Sequence, residues 1–116
     1  MATFTKTLLS GSTNGKSIDV TGTATGTAVT VHTAVSGTSD LDEIWLYCQN
    51  ISTSDVKLTI EWGETDEDGH IEQTIAGESG LVQVAPGILL QNSLVVKAFA
   101  STADVLMIHG FVNRIS

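Results

Sequence analysis

Apolar and polar residues alternate with a period of two along most of the chain, and helical periodicity is nearly absent. Phe4, Lys6 and Leu8 share one side of a first strand, with Thr3, Thr5 and Thr7 opposite. Residues 11–15, Gly-Ser-Thr-Asn-Gly, read as a turn because Asn and Gly tolerate positive φ. A short strand over 17–20 and another over 28–35, through Val29, Val31 and Thr33, follow. Between them, residues 21–27 repeat Thr and Gly with little to bury, which reads as an extended edge or a mobile arm.

The best strand covers 43–51, with Ile44, Leu46 and Cys48 on one side and Trp45, Tyr47 and Gln49 on the other. Four polar residues, 52–55, separate it from a strand over 56–62 that turns Val56, Leu58, Ile60 and Trp62 inward. The two are expected to form an antiparallel hairpin. An acidic loop spans 63–69, and a strand over 70–75 places Ile71, Gln73 and Ile75 on one face. Residues 81–84 are extended, Pro86-Gly87 reads as a turn, and strands over 94–100 and 105–115 complete the chain. Short strands spaced by turns predict a single all-β domain over 1–116, a two-sheet antiparallel β-sandwich, with a jelly roll as one way of connecting it.

Three strands carry more apolar surface than one buried face requires. Trp45 and Tyr47 occupy the second face of 43–51, Val95 and Phe99 that of 94–100, and Met107 and Phe111 that of 105–112. Either a loop or neighbouring sheet covers them, or they form a subunit interface, where large aromatics and Met are enriched. Trp45, Tyr47, Val95, Phe99, Met107 and Phe111 are therefore the candidate interface residues.

Charge narrows the class of partner. Five Lys and Arg against thirteen Asp and Glu give a net charge of −8, which disfavours nucleic acid and anionic membranes and favours a basic docking surface. The single Cys48 excludes an intrachain disulfide and implies no oxidising compartment. Residues 1–9 lack the apolar core of a secretory signal, which points to a protein that stays in the cell or leaves by another route. No apolar run approaches the roughly 20 residues of a membrane helix.

Candidate chemistry is sparse. Residues 64–70, Glu-Thr-Asp-Glu-Asp-Gly-His, open like a calcium loop, but Ile75 stands where the closing carboxylate belongs, so the expected role is a solvated hairpin tip. His32, His70 and His109 are scattered, Glu78-Ser79-Gly80 lacks the glycine of a nucleophile elbow, and Gly22–Gly26 lacks the following Lys of a phosphate loop. No enzyme, cofactor or metal site is expected. Asp40, Asp42 and Glu43, with the loop at 64–68, concentrate negative charge in two loops that would steer a basic partner if they share one end of the sandwich.

The segments Asp42-Glu-Ile-Trp-Leu, Val56-Lys-Leu-Thr-Ile-Glu-Trp-Gly, Leu94-Val-Val-Lys-Ala-Phe-Ala and Val112-Asn-Arg-Ile resemble small virion proteins of tailed bacteriophages, of the capsid decoration or cement type. The resemblance runs from about Leu8 to Ile115 and rests on strand patterns rather than chemical signatures. It implies a non-enzymatic β-sandwich on the outer surface of a mature capsid. The implied partners are the major capsid protein and two further copies in a homotrimer, assembled in the host cytoplasm. A tail, neck or fibre-base component is the nearest alternative. A carbohydrate-binding sandwich using Trp45, Tyr47 or Trp62 is a third.

Overall fold

The alternation is realised in a computed structural model that describes residues 2–116. Its strands are β1 (Phe4–Leu8), β2 (Ile18–Asp19), β3 (Val29–Thr33), β4 (Leu41–Asn50), β5 (Val56–Trp62), β6 (His70–Ile75), β7 (Val82–Leu90), β8 (Val95–Ala100) and β9 (Leu106–Ile115). They build two antiparallel sheets packed as a sandwich. One sheet, A, has the order β1-β9-β4-β7, with β2 also paired to β9; the other, B, has the order β3-β8-β5-β6. β9 is thus the hub of sheet A, bonded to β1, β2 and β4.

The long strand pairs are nested. β5 pairs with its neighbour β6, β4 with β7, β3 with β8, and β1 with β9, so the chain is one long hairpin wrapped across two layers. Between the sheets lie Ile44, Leu46 and Cys48 of β4, Val56, Leu58 and Ile60 of β5, Val96 and Ala98 of β8, and Ile108 and Val112 of β9. Full burial of each Leu, Ile or Val contributes about 1.5–3 kcal/mol, which makes this layer the main source of stability.

The strands over 43–51 and 56–62 do not form the expected hairpin: β4 lies in sheet A and β5 in sheet B. Asn50 directs the chain across. Its Nδ2 donates to the carbonyls of Ser54 (2.8 Å) and Ile75 (2.9 Å), while its Oδ1 accepts from the Ser52 backbone N–H (2.9 Å) and hydroxyl (2.7 Å). All four hydrogen-bonding positions of the amide are used, and the polar connection bends into the other layer instead of folding back.

Pro86-Gly87 is likewise not a turn but part of β7. An edge strand has no ladder partner on its outer side, so the missing Pro86 N–H is tolerated there. Gly87 sits at φ +73°, and a Cβ on it would lie 2.7 Å from the Trp45 ring, so glycine lets the bulged strand pass the indole. The 21–27 segment is not an extended edge. It contains a 3₁₀ turn at Thr25–Thr27, with the Thr27 hydroxyl accepting from the Thr23 and Ala24 N–H groups. In β3 a register shift between Thr30 and His32 breaks the alternation and buries both Val31 and His32.

Candidate interaction surface

Residues opposed across antiparallel strands share a face, so the register maps the outer surface of sheet A row by row. One row runs Leu41, Ile115, Phe4; the next Leu89, Glu43, Asn113, Lys6. A third runs Pro86, Trp45, Phe111, Leu8, and a fourth Gln83, Tyr47, His109. Two apolar rows therefore flank one polar row. Phe4 (68%), Leu8 (53%) and Leu89 (48%) are the most exposed large apolar side chains on this face.

The polar row is internally satisfied. Glu43 Oε1 accepts from Trp45 Nε1 (2.7 Å) and Asn113 Nδ2 (3.0 Å). The Asn113 amide, then the Trp45 indole, hold the Glu43 carboxyl below its ordinary range against a smaller opposing effect of desolvation. Trp45 and Phe111 lie nearly parallel with ring centroids 6.1 Å apart, and Lys6 Nζ sits 4.7 Å from the Phe111 centroid, within cation–π range. The aromatic pair is thereby fixed in place before any partner arrives.

The six candidate interface residues do not gather into one patch. Trp45, Tyr47, Met107 and Phe111 lie on the outer face of sheet A, whereas Val95 and Phe99 lie on the opposite side of the sandwich, on sheet B. All six are half-buried. Phe4 and Leu8 were legible as one side of the first strand. That side faces out, because Thr7 is the residue opposed to the buried Val112.

On sheet B the outer face is more polar. Phe99 meets the His70 ring edge-on at 5.8 Å, and Lys57 pairs with Glu72 at 2.8 Å in the open. A cavity of about 240 Å³ lies beside Phe99 between Lys57, Thr59 and Ser101, and another of about 230 Å³ lies along Glu61, Leu94 and Lys97.

At one end of the sandwich His32, Asp42 and Arg114 link the layers. Asp42 is fully buried; Arg114 reaches it through Nε (2.7 Å) and Nη2 (3.0 Å), and the Val35 N–H adds a third bond at 3.0 Å. His32 Nδ1 accepts from the Ser10 N–H (3.0 Å), so its proton is on Nε2, which donates to Asp42 Oδ2 (2.8 Å). The Ser10 hydroxyl accepts from the Thr33 N–H instead of facing the imidazole, which makes this a clamp and not a nucleophile–base pair.

The remaining sequence candidates stay apart. His32, His70 and His109 share no site, and among the described residues no three His, Cys, Asp or Glu side chains are gathered closely enough to hold a metal ion. Burial pushes the Cys48 thiol up to about 12. Asp40 and the 64–68 loop do lie at the same end: Gln91 Nε2 donates to the Asp40 carbonyl, and the Gly63 N–H to that of Val95. Asp42 and Glu43 are withdrawn from that cluster by the partners just described.

No family model, curated protein or solved structure matches this chain.

Proposed function

We propose that this chain is a non-enzymatic structural protein of a phage virion, a decoration protein that self-associates through the outer face of sheet A and seats on a mature capsid. The observation that carries the reading is that face. It places Phe4, Leu8 and Leu89 in the open beside a rigid Trp45–Phe111 pair. Its polar row carries Lys6 and Glu43, one charge of each sign, on a chain whose net charge is −8. Copies meeting through this face bury apolar rows without bringing the acidic surplus together, in keeping with the depletion of charge at interface centres.

The strand order supports the same reading. With the two-residue β2 set aside, the eight remaining strands run first-eighth-third-sixth in one sheet and second-seventh-fourth-fifth in the other. Nested pairing of this kind favours a jelly roll, an architecture used by viral capsid domains. Selective binding to the mature lattice stabilises it by mass action, and a trimer adds avidity. The acidic end, with Asp40 and the 64–68 loop, is the side suited to a basic shell surface.

Sedimentation equilibrium of the purified chain is expected to show a trimer. A Phe4→Ser/Leu8→Ser double variant is expected to dissociate it while melting normally, because both side chains are more than half exposed. The wild type should co-sediment with capsids of its own virus and raise their thermal resistance. A monomer that leaves capsids unprotected overturns the proposal, and labelling of the tail instead of the head reassigns it to a tail or neck part.

A further inference from the structure

Glu61 is the one glutamate buried among the described residues, at 1% exposure, yet it lies on the outward side of β5. His70 Nε2, which faces both Glu61 Oε2 and the Thr65 carbonyl at 3.2 Å, must carry a proton to satisfy these two acceptors. That bond fixes one carboxylate oxygen. The other, Oε1, is buried and has no hydrogen-bond partner among the described residues. A buried carboxylate oxygen left without a donor is costly, and native structures seldom keep one without a use.

Glu61 lines the cavity of about 230 Å³ introduced above, together with Glu64, Thr65, Leu94, Val95 and Lys97. Lys97 stands opposite Glu61 in the register, on the same face, yet it forms no ion pair among the described residues. Leu94 and Val95 supply apolar wall, and Glu64 adds a second carboxylate. The volume falls below the roughly 300–1,000 Å³ of sites for drug-sized ligands, and suits a single long side chain.

We infer that this cavity receives a lysine or arginine side chain from a partner protein, with Glu61 Oε1 as the acceptor of its charged head. The methylene stem packs on Leu94 and Val95, in the manner of long basic side chains that lie along apolar surface with the head on a polar group. Oε1 is closed to solvent in the free chain, so the carboxylate turns outward to meet the incoming head, a move that gives this oxygen the donor it lacks. The chain's net charge of −8 favours a basic partner over an acidic one. This site is on the side opposite the apolar rows, and does not depend on what covers them.

The test is a titration of the ¹⁵N-labelled protein with Nα-acetyl-lysine methylamide, its arginine counterpart, and the uncharged Nα-acetyl-norleucine methylamide. The charged probes are expected to give saturable amide shifts centred on Thr65, Leu94 and Val95, and the norleucine probe none. Glu61→Gln, with an unchanged melt, should weaken the charged probes by roughly tenfold or more, the scale of a lost charged hydrogen bond. Lys97→Met removes a like charge from the cavity wall and should tighten them several-fold. Equal shifts from charged and uncharged probes overturn the inference, as does unchanged binding by folded Glu61→Gln. Should that variant not fold, unchanged or weaker binding by Lys97→Met overturns it. None of these readouts involves trimerisation or capsids, so the result stands apart from the decoration reading.

Discussion

Replacing Arg114 with Met keeps most of the stem but removes both charged hydrogen bonds to Asp42, leaving a fully buried carboxylate held by His32 and the Val35 N–H. Breaking a buried ion pair by deleting one member costs about 3–5 kcal/mol. Two features lower that figure here: Arg114 is about one-third exposed, and Asp42 keeps two donors. The expected loss is about 2–3 kcal/mol, or a fall in Tm of about 8–12 °C for a chain of this length. Urea unfolding at neutral pH measures it directly, and Arg114→Lys should fall between the two because it keeps the charge and loses the fork.

The same variant has a pH signature. Burial pushes the Asp42 carboxyl up, but the Arg114 and His32 hydrogen bonds, the Arg114 charge and the Val35 N–H outweigh it and hold the group below its ordinary value. A carboxyl whose folded pKa is depressed stabilises the protein fully above its unfolded pKa, and that contribution is lost as pH falls through the folded value. The wild type should therefore lose this contribution only below about pH 4. In Arg114→Met the effect of burial is less opposed, the folded pKa rises, and acid sensitivity moves to higher pH. A variant within about 0.5 kcal/mol of wild type, with the same acid limb, would refute the dependence of Asp42 on Arg114.

Asn50→Ala removes four hydrogen bonds at the crossing between layers, one of them to the buried Ile75 carbonyl, so a loss of about 2–4 kcal/mol in thermal or urea melts is expected. A loss near that of an exposed-site substitution would show that the crossing is held by something else. Cys48, with its thiol near 12, should carry only about one part in 10⁴ thiolate at pH 8. Labelling by a disulfide reagent should be slow natively and fast in denaturant; fast native labelling contradicts the burial of this side chain.

Strand existence was written plainly in the alternation, most clearly in β4, where inward Ile44, Leu46 and Cys48 are all buried and the polar Asp42 and Asn50 extend the same buried face at either end. Sheet membership was not. Alternation says which residues share a face of a strand, but not which layer the strand joins, so the polar connection after β4 read equally well as a hairpin loop; the Asn50 amide decides it. Pro86-Gly87 has the chemistry of a turn, and the free edge of sheet A overrides it. Trp45 and Phe111 were legible as residues on the second faces of their strands but not as neighbours, and Val95 and Phe99 joined them only because one dimension cannot separate two outer faces. Glu61 carried no signal of its own. Alternation assigned it outward, and its burial comes from the bulk that β6 and β8 place around it, His70 foremost.

The nested pairing sets an order for folding. The β5–β6 contacts, such as Val56 with Ile75, close a short loop, whereas Phe4 with Ile115 spans nearly the whole chain. Closing a loop costs entropy that grows with its length, so each inner pair, once made, shortens the path that the next must close. Zipping outward from the 63–69 tip is the inexpensive route. Because β9 bridges β1, β2 and β4 and follows all three in the chain, sheet A gains this central member only after its other strands have been made. Until then β4 and β7 expose an unpaired edge, the interval in which a β-rich chain is most open to the wrong partner.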